Sequence, residues 1–217
     1  MKKLILVRTG STAWQESSPN SDADTKPSAQ QQWLQGTVPL PLTDSGKRTL
    51  EEIAVTLQRE GAEVLYSSGN ESSGPAAQFL SELCPIKVKK LPLLRELDCG
   101  LWQGLRIKEI RQRFGRAYKQ WRSDPTSICP PQGESVESAA HRVQEAMGKL
   151  RKKNKDKIII IVAAPIISAL LECFLNQCAQ DQLWHFADQP GQVRIYEMNE
   201  NGAFSRCQLT AEALPSE

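Results

Sequence analysis

Residues 157–177 read KIIIIVAAPIISALLECFLNQ, and this stretch decides the fold class. From Ile158 to Val162 five consecutive residues are β-branched. Side chains alternate across a strand, so a run that is apolar at every position must be covered on both faces. Such a strand belongs at the centre of a parallel sheet lying between helices. Pro165 follows, and proline suits the first helical turn, where a missing N–H costs nothing. The reading is a central strand over Lys157–Val162 and a helix over Pro165–Gln177.

Working outward, other strand–helix units appear. Lys2–Val7, Ala62–Ser67 and Ile86–Lys90 read as strands. Thr43-Asp44-Ser45-Gly46 is a helix start, and Leu50, Ile53, Ala54 and Leu57 keep helical spacing through Arg59. Helices are expected at Pro75–Leu83, opened by proline, and at Ser135–Lys152. Two shorter pieces are expected at Ile107–Phe114 and Ala117–Arg122. Gln192–Met198 and Ala203–Leu209 flank a turn at Asn199–Gly202, so they form an antiparallel pair at an edge. Alternating strands and helices predict a three-layer α/β/α sandwich with a mostly parallel central sheet and an antiparallel edge strand. The expectation is one domain over residues 1–217, with a polar loop insertion at about 16–32, where ESSPNSDADTKPSAQQQ offers nothing to bury.

Composition excludes several classes. Twenty-seven basic residues face 25 acidic ones, a net charge of +2 that gives no general reason to expect nucleic-acid binding. The basic run Lys149–Lys155 falls where a helix should end, and there cations offset the macrodipole. No apolar run nears the ~20 residues of a membrane span, and the first residues lack a signal-peptide core. The expected location is the cytoplasm. The six cysteines are scattered, with Cys173 and Cys178 five apart on the expected helix, so reduced thiols are expected and no metal or other cofactor.

Leu4-Ile5-Leu6-Val7-Arg8-Thr9-Gly10-Ser11-Thr12-Ala13-Trp14 resembles the opening of the histidine phosphatase superfamily, which includes phosphoglycerate mutases. Further blocks are similar to the family in order along the chain. They are Leu34-Gln35-Gly36 with PLPLTDSG at 39–46, Leu65–Ser68, Leu94–Gly104, Pro131–Ser135 and Ile158–Leu171. The resemblance implies a phosphoglycerate mutase-like fold and a phosphohistidine chemistry. In that chemistry an imidazole attacks phosphorus, two arginines and a second histidine hold the phosphoryl oxygens, and a carboxylate serves the leaving group.

Carried onto this chain, the resemblance places phosphate-binding Arg8 and the acid Glu96 where the family has them. It places Thr9 at the nucleophile position, Ser72 at the second arginine and Ala164 at the second histidine. Ser11, Gln35, Gly36, Glu134 and Ser135 fall on the pocket rim. Three of five catalytic positions are therefore changed, and Pro165, Ile166 and Ile167 fill the turn that should receive phosphate. The two histidines present, His141 and His185, sit away from the expected strand ends and read as structural or surface residues. Arg8 is either an anion anchor or a partner of Glu96. Glu134 and Ser135 read as helix-capping residues, and Trp14, Trp33, Trp102 and Trp121 as core or lid.

The expectation is a catalytically inactive pseudophosphatase that binds a small anionic ligand or a protein partner, with a homodimer as a further reading. The alternative is a phosphomonoester hydrolase or mutase of altered chemistry built on Arg8 and Glu96.

Overall fold

The computed structural model of the chain describes residues 1–16, 33–69, 73–187 and 193–207. Among these residues six strands form one sheet: β1 (Lys3–Arg8), β2 (Val64–Ser67), β3 (Lys87–Lys90), β4 (Ile158–Ala163), β5 (Val193–Met198) and β6 (Phe204–Cys207). Their order is β3-β2-β4-β1-β5-β6. The first four are parallel, β5 runs antiparallel to β1, and β6 antiparallel to β5. The isoleucine run is β4, held between β2 and β1, as its two apolar faces require.

Alternation along the strands sorts the core into two layers. Leu4, Leu6, Tyr66, Ile159 and Ile161 face α4 (Ile107–Ser123), α5 (Val136–Lys153) and α6 (Pro165–Leu175). Ile5, Val7, Leu65, Ile160 and Val162 face α2 (Asp44–Glu60) and α3 (Ser73–Leu83). Ile159, Ile160 and Ile161 are wholly buried. Each such side chain contributes about 1.5–3 kcal/mol by leaving water. Trp102, Tyr118 and Trp121 extend the first layer, with Trp121 meeting Trp184 of α7 (Leu183–Ala187) edge-on at 4.6 Å.

Helix ends follow local chemistry. Thr43 caps α2 by accepting the Gly46 N–H, and Gly61, at φ 67°, closes it. Ser135 caps α5 by accepting the Ser138 N–H. The two pieces expected over 107–122 are one helix, α4, bent where Phe114 leaves helical geometry at φ −131°. A short helix α1 (Ala13–Glu16), not foreseen, follows β1, so residue 16 is helical rather than loop. The rest of the expected insertion, 17–32, lies outside the described residues.

Two expectations need correction. Pro75 is the third residue of α3 rather than its opener, because the helix begins at Ser73. α6 ends at Leu175, since Gln177 turns to φ 55° and the Cys178 N–H closes on the Cys173 carbonyl at 2.9 Å. Cys173 and Cys178 therefore do not share one helix. All six thiols are free, and burial pushes Cys173 up to about 12. No helix among the described residues is long and apolar enough to cross a membrane.

Candidate functional site

Three neighbouring parallel strands end together, and open α/β sheets place their sites at such carboxyl ends. Arg8 closes β1 opposite Ala163, the last residue of β4. The Thr9 N–H then donates to the Ala163 carbonyl at 3.1 Å, which sets Thr9 beside Ala164. β2, on the far side of β4, ends at Ser67, and Ser68 follows it. Arg8, Thr9, Ser68 and Ala164 are all buried. Ser68 and Ser73 share a hydroxyl hydrogen bond of 2.6 Å. Ser72, the position of the second arginine, lies outside the described residues.

Ala164 is the N-cap of α6, and its methyl group caps nothing. The first N–H groups of a helix have no partner within it and carry partial positive charge. Glu96 supplies both needs from 70 positions away. Its Oε2 accepts the Ile166 N–H at 2.9 Å, and its Oε1 accepts the Ile167 N–H at 3.1 Å. Oε1 also accepts the Leu97 N–H at 2.7 Å, and Glu96 is only 2% exposed. A helix N-terminus with free amides is an anion seat. Here a carboxylate of the chain itself sits in it. Glu96 and Ala164 are thus brought together, with the Glu96 carboxylate serving as the cap that Ala164 cannot supply.

Arg8 has a charged neighbour that the sequence did not single out. Leu4 and Leu6 face α5 and α6, so alternation puts Arg8 on that same side. Glu172 of α6 is buried there, and Arg194 of β5 meets its carboxylate at 2.6 Å. Burial pushes the Glu172 carboxyl up to about 7, against the pull of Arg194, Arg206 and Arg8. A signal existed: Glu172 is the one charged residue in PIISALLECFL.

The residues expected on a pocket rim are held by their own bonds. Gln35 donates to the Val38 carbonyl at 2.9 Å and accepts from Thr12 at 3.3 Å. Gly36 sits at φ 55°, packed on the Gln103 side chain, whose Oε1 accepts the Thr37 N–H at 2.7 Å. The Ser11 carbonyl accepts the Thr43 N–H at 3.1 Å. Gly10 and Gly46 meet main chain to main chain: a Cβ on Gly10 would lie 2.5 Å from the Gly46 carbonyl oxygen. Trp14 and Trp33 are half-buried and stacked at 5.2 Å, with Arg106 above Trp33 at 4.9 Å. Trp102 and Trp121 are core.

Glu134 and Ser135 divide their expected role. Ser135 caps α5, as above. Glu134 instead grips Arg142, through Nε to Oε1 at 2.7 Å and a second nitrogen to Oε2 at 2.6 Å. Arg142 also donates to the carbonyls of Leu93 at 2.6 Å and Arg95 at 3.1 Å. This pair therefore anchors the segment that delivers Glu96. The Glu134 N–H is spent on the Asp98 carbonyl at 2.7 Å and is not offered to a ligand. Burial raises the Glu134 carboxyl, but the bonds and charge of Arg142, with Arg95, outweigh it and hold the group below its ordinary value.

His141 lies exposed on α5 and His185 exposed on α7, whereas Arg8, Thr9 and Glu96 are buried at the strand ends.

A family model described as histidine phosphatase superfamily (branch 1) matches residues 4–212. Phosphoserine phosphatase 1 of Hydrogenobacter thermophilus is 24% identical over 92% of this chain and 88% of its own. Adenosylcobalamin/alpha-ribazole phosphatase of Escherichia coli is 22% identical over 79% of this chain and 84% of its own. Among solved structures, Bacillus stearothermophilus YhfR superposes with a TM-score of 0.80 at 22% identity, covering 100% of this chain and 98% of that one.

Proposed function

Because the chain belongs to the histidine phosphatase superfamily, whose chemistry needs an imidazole at the strand ends, we propose that it is a noncatalytic member acting by binding. The carrying observation is the seat of Glu96 on the Ile166 and Ile167 amides, beside Thr9 and Ala164 where the family's histidines would stand. The phosphate seat is filled from within, and the nucleophile position holds a hydroxyl. A threonine hydroxyl attacks phosphorus only with a base beside it. The one family-positioned base, Glu96, is committed to α6. Losing the nucleophile of a concerted set typically costs ~10⁴–10⁶ in rate.

In this reading the fold serves recognition. The ligand is a small anion reaching Arg8 or a protein partner meeting the rim around Ser11, Gln35 and Gly36, and the protein acts in the cytoplasm as a single domain. A second reading has a specific support: curated relatives over most of the chain carry phosphatase names, and Arg8 and Glu96 remain. It makes the protein a phosphomonoester hydrolase of altered chemistry.

Hydrolysis of p-nitrophenyl phosphate, O-phosphoserine and a panel of sugar phosphates separates the two. The noncatalytic reading expects rates at background. Robust turnover that disappears in both Arg8→Ala and Glu96→Gln would establish the second reading in its place.

A further inference from the structure

On the far edge of the sheet from β6, β3 carries the sequence Lys87-Val88-Lys89-Lys90. The C-terminal end of α5 carries Lys149, Arg151, Lys152 and Lys153, of which the three lysines matter here. The fold brings the two together. Lys89, Lys90, Lys149, Lys152 and Lys153 surround a groove of about 680 Å³ whose floor is Tyr66, Leu91 and Leu150. That volume lies within the ~300–1,000 Å³ typical of ligand clefts.

The floor is fixed in place. The Tyr66 hydroxyl donates to Asn154 Oδ1 at 3.1 Å, and Asn154 Nδ2 donates to the Leu150 carbonyl at 2.9 Å. Lys89, directly across from Tyr66 in the β2–β3 register, holds its ammonium 5.9 Å from the tyrosine ring. Lys149 is paired with Glu145 at 2.7 Å. Among the described residues the other four lysines have no carboxylate within 4.0 Å. Each half of this charge has an ordinary explanation alone, since lysines guard edge strands and cations offset a helix C-terminus. Neither accounts for their meeting around an apolar floor.

We propose that this groove is a docking site for an extended acidic segment of a protein partner, with acidic and apolar residues in alternation. The lysine rim calls for negative charge. The tyrosine and leucine floor calls for apolar side chains, which a compact polyphosphate lacks. Lysine offers a point charge without the planar fork that grips phosphate or nucleic-acid backbones in two bonds. β3 pairs with β2 alone among the described strands, so its outer main-chain edge is open to an added strand, and strand addition reads alternate side chains. A second copy of the same surface is repelled by the same lysines. In the sheet order the groove lies at β3, three strands over from β1 and Arg8.

The test is fluorescence anisotropy of the full chain with a fluorescein-labelled six-residue peptide alternating glutamate and leucine. Binding is expected to saturate and to weaken as salt rises. Lys152→Glu with Lys153→Glu, both exposed, should weaken it at least tenfold. Lys155→Glu, in the same basic run but outside the groove, should change it less than twofold. Leu91→Ser should weaken the peptide severalfold while leaving polyglutamate unaffected. Thermal melts confirm that each variant is folded. The proposal is overturned if polyglutamate or a single-stranded oligonucleotide binds as tightly as the peptide. It is equally overturned if the peptide with lysine for glutamate binds alike, or if K152E/K153E binds like the wild type.

Discussion

Glu96 and Ile166 are joined across 70 positions by a hydrogen bond of 2.9 Å from the Ile166 amide to the Glu96 carboxylate. This bond, with its companion to Ile167, makes a residue of the acid-bearing segment into the missing cap of α6. Glu96→Ala should therefore destabilise the fold, by about 1.5–3 kcal/mol for a charged hydrogen-bond acceptor lost to buried amides. Glu96→Gln, keeping one acceptor oxygen, should lose less. Urea unfolding gives the magnitudes. Faster hydrogen exchange concentrated at the Leu97, Ile166 and Ile167 amides identifies the lost carboxylate as the cause.

Restoring the histidines should not restore chemistry. Thr9→His with Ala164→His returns both imidazoles, yet Glu96 still occupies the α6 amides and Pro165 still fixes the turn. Both sites are buried, so the added volume should also cost on the order of 1–3 kcal/mol in overpacking. Hydrolysis of p-nitrophenyl phosphate is expected to stay within about tenfold of background, with no phosphohistidine signal in phosphorus NMR. A burst of p-nitrophenol would count against the reading that the seat is closed.

The grip of Glu134 on Arg142 is a nearly buried, two-bond ion pair, with side chains 9% and 10% exposed. Removing one partner strands the other charge, so Arg142→Ala should cost about 3–5 kcal/mol. Arg95, 44% exposed, touches the same carboxylate, and Arg95→Ala should cost under about 1 kcal/mol. Because the Glu134 carboxyl is held below its ordinary value of 4.5, its contribution is present above that pH and fades as pH falls through the folded value. Chemical denaturation of both variants between pH 3 and pH 7 checks the order and the sign.

Glu172 has the opposite sign. Its folded value of about 7 lies above the ordinary 4.5, so between those pH values the native state holds a proton that the unfolded chain has released. Stability from this residue therefore falls as pH rises through that window. Glu172→Gln cannot titrate. The stability of wild type relative to this variant should be greater at pH 5 than at pH 8, as read from paired thermal melts. A difference independent of pH would place the Glu172 proton elsewhere.

The sheet was largely legible because its strands announce themselves locally. Four isoleucines and a valine in a row can only be a strand covered on both sides. The turn at Asn199–Gly202 likewise declared the antiparallel edge, and it closes through the Gly202 N–H to the Asn199 carbonyl at 2.9 Å. The site was legible as positions and not as bonds. That Arg8, Thr9 and Ala164 meet follows from strand register, which β1 and β4 carry in their pattern. That Glu96 caps α6 is a tertiary contact with no local signature. The clue was indirect: Ala164-Pro165 opens a helix with no side chain able to cap it, so the acceptor had to come from elsewhere. Short α1 and α7 escaped because four or five residues give too little periodicity to read. Glu134 precedes a helix and so reads as a cap, yet its partner is Arg142, two turns along, on the face that meets the Glu96 segment.

Gly10 and Gly46 touch with no side chain between them, so the loop after β1 is locked against the first turn of α2 by peptide groups alone. A side chain at either position would wedge this junction apart, since a Cβ on Gly46 would collide with the Ser11 carbonyl oxygen. The placement of Thr9, next in line to Gly10, thus hinges on two residues that carry no chemistry of their own.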